Sequence, residues 1–259
     1  MPSYCMMAPP VFADPPVLCG HRGLGKGVVD GHRENTLGSF RAAVAAGLRW
    51  VEVDARVNAD GVLVSVHDPM APDGRLVSEL STAETDELEL MRLVDLLADL
   101  PPEVSIDLEV KTSLEDATRP RGETTAALVA DVVAREAERR TVLVTSFDPS
   151  AILIVRERVP EVPIGLLTWR RFPLRKAIPA AVHLGAQVLA THFLSLTSPQ
   201  ERDLATLVRA AHDAGLQVLT WSMGPDDMEG LIAAGVDCLC IDNVPSSVAS
   251  PPQWQPRHA

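Results

Sequence analysis

The sequence predicts a closed (β/α)₈ barrel, an α/β fold of the TIM type, and three observations lead there. Eight short apolar runs recur along the 259 residues, amphipathic stretches separate most of them, and the connections are short. Strand alternating with helix through short links makes a parallel sheet, and ~250 residues is the usual length of one such barrel. An open doubly wound sheet shares the alternation, but eight strands in a chain of this length fit closure better.

The strand-like runs are 17–19, 50–53, 104–110, 141–145, 162–166, 187–190, 217–220 and 237–241. Helical patterns occupy 36–46, 92–100, 123–139, 149–158, 175–184, 199–214 and 225–234. Asn35 or Thr36 can cap the first helix, while Asp148-Pro149 and Ser198-Pro199 each put an acceptor ahead of a helix-opening proline. Gly47, Gly185, Gly215 and Gly235 follow helical patterns, where a left-handed terminating residue is expected. The β-rich run 62–66 breaks the alternation. With Asp60-Gly61 as a two-residue turn, Ala59 pairs with Val62 and His67 falls opposite Asp54, on an antiparallel arm outside the eight strands. Residues 69–91 are irregular and then acidic, a small excursion over one barrel mouth. The expected organisation is a loosely packed proline-containing lead-in at 1–16, one barrel at 17–245 and a loop-like tail at 246–259.

With 46% hydrophobic and 22% charged residues, the chain has the composition of an ordinary globular protein. A net charge of −12 argues against nucleic acid or an anionic membrane as partner, since both call for a basic face. No run approaches the ~18 apolar residues of a membrane span. The four cysteines do not form a disulfide framework: Cys19, Cys238 and Cys240 lie in apolar runs and Cys5 near the start, as expected of buried reduced thiols. Cytoplasmic location is the resulting expectation.

In a barrel of this kind the site forms at the C-terminal ends of the strands, so polar residues there carry the chemistry. His21-Arg22-Gly23 follows the first run. Glu52 and Asp54, two apart, share a face of the second, and two carboxylates in a barrel interior call for a cation or hydrogen bonds. His67-Asp68 ends the arm, with Asp68 either orienting the histidine or capping a turn. Asp107, Glu109 and Lys111 share one face of the third run, which is otherwise apolar.

Together these segments resemble the glycerophosphodiester phosphodiesterase family. The resemblance rests on His21-Arg22-Gly23, Glu34-Asn35-Thr36, Glu52-Val53-Asp54, His67-Asp68 and Glu109-Val110-Lys111. Ser146-Phe147, Thr220-Trp221-Ser222 and Asp242-Asn243-Val244-Pro245 support it, so that it spans 17–245. It implies metal-dependent hydrolysis of a small-molecule glycerophosphodiester, with His21 and His67 as the acid–base pair. Glu52, Asp54 and Glu109 would hold Mg²⁺ or Ca²⁺, Arg22 and Lys111 the phosphate, and Trp221 would line the pocket. Arg33 stands where the family commonly has proline, His32 is an extra residue, and the insertion after His67-Asp68 is short. Two other readings share these residues: a lysophospholipase D-like enzyme with an apolar lip drawn from Phe172, Pro173 and Leu174, and a non-catalytic phosphodiester-binding barrel.

Overall fold

The computed structural model describes residues 9–198 and 202–249. Eight parallel strands close on themselves: β1 (Val17–Gly20), β2 (Trp50–Val57), β3 (Ser105–Val110), β4 (Val142–Ser146), β5 (Ile164–Thr168), β6 (Val188–His192), β7 (Gln217–Trp221) and β8 (Cys238–Ile241). Each pairs with the next, and β1 joins both β8, over its whole length, and β2 through Cys19 and Gly20. The helices between them are α1 (Leu37–Ala45), α2 (Leu93–Asp99), α3 (Thr125–Glu136), α4 (Pro149–Arg158), α5 (Leu174–Leu184), α6 (Leu204–Asp213) and α7 (Met228–Ala233). Among the described residues no helix is long and apolar enough to cross a membrane.

Strand alternation divides the interior from the exterior. On β2, Val51, Val53 and Ala55 pack outward against the helices in the large core, while Trp50 joins a second cluster inside the barrel. Glu52 and Asp54 continue the inward series above Trp50, so the interior is apolar at its floor and acidic toward its mouth. The floor is closed by Phe12, fully buried and edge-on to Trp50 at 5.0 Å between ring centres. Gln217 holds the backbone of Phe12, accepting from its N–H at 2.9 Å and donating to its carbonyl at 3.0 Å. The lead-in is therefore not loosely packed throughout, because one aromatic residue in it fills the barrel's open end.

Other departures from expectation have local causes. Thr36 and Asp148 cap α1 and α4, but α6 starts at Leu204 behind Asp203, which accepts from Thr206 N at 3.0 Å, rather than behind Ser198; the start expected at Pro199 lies outside the described residues. The predicted loop after 245 begins instead as helix α8 (Val244–Ala249), with Asn243 Oδ1 accepting from Ser246 N at 3.0 Å. The insertion is more ordered than its composition suggests. Ser81 and Glu84 form a capping box on a short helix, Thr82–Glu87, over a small separate core of Val64, Ala71, Val77, Leu80 and Leu90.

The hairpin arm is present, one residue out of the expected register. Val57 pairs with Leu63 and Arg56 with Val64. Asn58 causes the shift: its side-chain oxygen accepts from Asp60 N at 3.0 Å and Val62 N at 2.8 Å, and its N–H donates to Val62 O at 2.9 Å. The loop is thus Ala59-Asp60-Gly61, with Gly61 left-handed at φ 79°, instead of the two-residue turn. Strand pairing ends at Ser65, so His67 is not set opposite Asp54 by the ladder. Arg56 places it, donating to the His67 carbonyl from Nε at 2.9 Å and from Nη2 at 2.7 Å.

Candidate active site

The parallel register of β2 and β3 sets Glu52 beside Asp107 and Asp54 beside Glu109, giving a buried ladder of four carboxylates. Two cations face it. Lys111 Nζ lies 3.1 Å from Asp54 Oδ1 and 2.5 Å from Glu109 Oε1; Arg22 Nε lies 3.4 Å from Asp54 Oδ2, and its backbone N–H donates to Glu52 Oε2 at 2.9 Å. Burial would raise Asp54, but Lys111 and Arg22 outweigh it and hold its carboxyl well below the usual range. Glu52 goes the other way: burial drives it well above the ordinary range, and the neighbouring Asp54 and Glu109 add to the shift. Burial likewise pushes Asp107 up to about 7, against a 2.8 Å hydrogen bond from Thr145 Oγ1. Two positive groups thus oppose four acidic ones in a medium where an uncompensated charge is costly.

That shortfall is concentrated where a cation would fit. Carboxylate oxygens of Glu52, Asp54 and Glu109 all lie within 4.8 Å of one another. Among the described residues Glu52 Oε1 is buried with no hydrogen-bond partner, and Asp54 Oδ1 and Glu109 Oε1 have only the Lys111 ammonium beside them. Three hard oxygen donors with orphaned lone pairs suit a divalent metal of the Mg²⁺ or Ca²⁺ kind.

The strand ends supply the rest. His21, directly after β1, donates from Nδ1 toward Asp242 Oδ1 at 2.5 Å, because Arg22 Nε already donates to Nε2 at 3.2 Å. That Nε2 lies 3.8 Å from Glu52 Oε2. His67 Nδ1 meets Asp68 Oδ1 at 2.7 Å, so Asp68 orients the ring. His67 is held below the usual histidine range, first by burial and then by repulsion from Lys111, with Asp54 partly opposing.

His21, Arg22, Glu52, His67, Glu109, Lys111 and Trp221 line one cavity of about 260 Å³, and Asp54 is fully buried beneath it. Every residue expected to move protons, hold metal, hold phosphate or line the pocket is therefore gathered at this mouth, whereas Leu174, expected at an apolar lip, is fully buried in the large core with Phe172 packed against it. The other wall is aromatic: Phe147 stacks on Trp169 at 4.3 Å and meets Trp221 edge-on at 5.8 Å, and His192 packs on Trp221 at 4.5 Å. A larger cavity of about 570 Å³ lies beyond His67, under the insertion.

Several contributors had no role in the sequence reading. Asp242 and Asn35 sat in quoted motifs, but only the fold shows that Asn35 donates to Asp54 Oδ2 at 2.7 Å while accepting from Ser65 Oγ at 2.8 Å. Glu34 accepts from Arg22 Nη1 at 2.8 Å. Trp169 and His192 escaped because the expected runs, 162–166 and 187–190, stop short of the ends of β5 and β6 at Thr168 and His192.

The sequence profile of the glycerophosphoryl diester phosphodiesterase family matches residues 21–246. The chain belongs to that family. It is a phosphoric diester hydrolase of the glycerophosphodiester phosphodiesterase type. A glycerophosphodiester phosphodiesterase of Caldanaerobacter subterraneus subsp. tengcongensis is 24% identical over 248 residues, covering 88% of this chain and 94% of the relative. Among solved structures, an Oleispira antarctica phosphodiesterase in complex with the product sn-glycerol-3-phosphate superposes with a TM-score of 0.72 at 22% identity, over 91% of this chain and 97% of that one. The Thermotoga maritima glycerophosphodiester phosphodiesterase gives 0.71 at 18% identity, over 90% and 97%. At these identities the structures speak for the fold, and the family match for the class of reaction.

Proposed function

We propose that residues 17–245 form a metal-dependent glycerophosphodiesterase that releases sn-glycerol 3-phosphate and an alcohol. The observation that carries this reading is the buried Glu52–Asp54–Glu109 cluster with His21 and His67 lining the cavity it faces. The product complex of the Oleispira antarctica relative names the phosphate-bearing product.

Glu52, Asp54 and Glu109 would hold Mg²⁺ or Ca²⁺, which when bound would draw charge from the phosphoryl oxygens. The chain's own groups do the rest. Arg22 and Lys111 present two cations to a phosphodiester in the cavity. His67, held below the usual histidine range by burial, is suited to take the proton of the attacking oxygen at Nε2, since Nδ1 is engaged by Asp68. His21, fixed through Nδ1 by Asp242, is the complementary group that would hand a proton to the leaving oxygen from Nε2, which in that step carries a proton and no longer accepts from Arg22 Nε. Trp221, whose buried Nε1 has no acceptor among the described residues, closes the wall with Phe147. Buried thiols at Cys19, Cys238 and Cys240 suit a cytoplasmic setting.

A second reading, hydrolysis of lysophospholipids, is favoured by the aromatic wall that runs out to Trp169, 65% exposed at the rim. One assay separates them: glycerol 3-phosphate release from glycerophosphocholine and glycerophosphoethanolamine, in EDTA and with Mg²⁺, Ca²⁺ or Mn²⁺ restored, with His21→Ala as control. Metal-dependent turnover lost in the variant supports the first reading. Turnover only when the glycerol carries an acyl chain supports the second, and none on either substrate defeats both.

A further inference from the structure

Large apolar side chains that remain exposed are not scattered evenly. Val28, Met70, Leu114 and Trp169 are 70%, 56%, 84% and 65% exposed, and all four stand on loops that follow barrel strands at the catalytic end. Val94, Leu153 and Val182 are the other three among the described residues, each on a flanking helix. The mouth alone therefore presents protruding apolar groups from several loops.

Charge singles out one sector of that rim. No Asp or Glu occurs between Glu161 and Glu201, in a chain with 35 acidic residues. Within that stretch Arg170, Arg171, Arg175 and Lys176 crowd beside Trp169 and Phe172. All four cations are exposed, and among the described residues Arg170, Arg171 and Lys176 have no carboxylate within ion-pair distance. The opposite rim mixes the signs, with Asp68, Asp73 and Glu89 beside Arg33 and Arg75.

Arg175 and Lys176 sit in the first turn of α5, the positive end of the helix dipole, where cations are unfavourable. Arg171 holds a left-handed φ of 58°, which a side chain of this kind rarely adopts. Trp169 spends one face on Phe147 and leaves the rest to water. Tryptophan beside unpaired arginine and lysine is the chemistry of the membrane–water interface: the indole partitions to the headgroup level and the cations meet lipid phosphates. The net charge of −12 speaks only for the average surface, and it is local charge within a Debye length that an interface feels.

We propose that the Trp169–Lys176 sector is a docking surface for anionic lipid bilayers, holding the barrel with this rim down and the mixed-charge rim tilted away. The inference concerns location rather than chemistry, and it holds whichever phosphodiester is hydrolysed.

The test is vesicle co-sedimentation of the full chain, with phosphatidylcholine alone and with phosphatidylglycerol mixed in. Wild type should bind the anionic vesicles, bind phosphatidylcholine far more weakly, and release as salt is raised. Arg170→Glu/Arg171→Glu should lower partitioning about thirtyfold, from ~1 kcal/mol for each cation lost at the surface. Arg49→Glu/Arg135→Glu makes the same change in net charge at the far end of the barrel, and should bind like wild type. Neither pair lines the cavity, so turnover of a soluble glycerophosphodiester reports that both variants are folded. No binding by wild type, equal binding to both vesicle types, or equal losses in the two double variants would overturn the proposal.

Discussion

His21 and Asp242 lie 221 positions apart in the chain, yet their Nδ1 and Oδ1 atoms meet at 2.5 Å. Barrel closure accounts for it. Gly20 is in register with Ile241 on the paired strands β1 and β8, so the next residue on each emerges at the same height. The carboxylate then fixes one tautomer and leaves Nε2 toward the carboxylate cluster.

Asp242→Ala should therefore lower kcat by about 10–100-fold, the usual cost of losing a group that orients a working ligand or base, with KM nearly unchanged. Asp242→Asn should recover part of the loss by keeping a hydrogen bond. Steady-state kinetics on both variants distinguishes orientation from mere packing, which would move KM and stability as well.

Divalent metal should stabilise the fold through the orphaned oxygens of Glu52, Asp54 and Glu109. At a hundredfold excess over Kd the gain is ~2.7 kcal/mol, or about 5–10 °C in Tm for a chain of this size. Thermal melts in EDTA and in added Mg²⁺ or Ca²⁺ measure it directly. Glu52→Gln should abolish most of the shift. Metal-free, that variant should melt no lower than wild type, because the carboxylate it removes is one that burial disfavours.

His67 should set the acid limb of the pH–rate profile. Its ionisation lies below the usual histidine value through burial and the Lys111 ammonium, and a base works only when unprotonated. Activity should thus persist below the ordinary ~6.5 before it falls. Lys111→Met removes one of the causes, so the limb in the residual activity should move toward higher pH. A limb that stays where it is, or moves down, would remove His67 from this part.

Phe12→Ala should cost about 3–5 kcal/mol, the range for emptying a buried aromatic site, since the ring is fully buried against Trp50. Urea denaturation reads the change. The catalytic rate at a temperature where the variant is folded should be close to wild type, because the floor and mouth are separate layers of the interior.

The barrel was legible because alternating strand and helix repeats through the whole chain, and each repeat pairs with its neighbour. What escaped was decided by contacts distant in sequence or by single side chains. Asn58 moved the hairpin by one residue through two hydrogen bonds that its side-chain oxygen accepts from backbone N–H groups. Phe12 became part of the core only because Gln217 is there to hold it. In the site, the charged residues of β2 and β3 stood out because ionisable groups in barrel strands are conspicuous. Asp242 and Asn35 did not, because their work is to hold other residues, and their partners are set by closure of the barrel and by the hairpin arm.

Apart from Asp242, which orients His21 from the end of β8, the two halves of the molecule divide the labour. His21, Arg22, Glu52, Asp54, His67, Glu109 and Lys111 all come from the first three strand–loop units, while Phe147, Trp169, His192 and Trp221 come from the later ones. An engineer could randomise the second set in a directed-evolution library and leave the reaction machinery untouched. The same separation would let natural descendants drift in what they accept while keeping what they do.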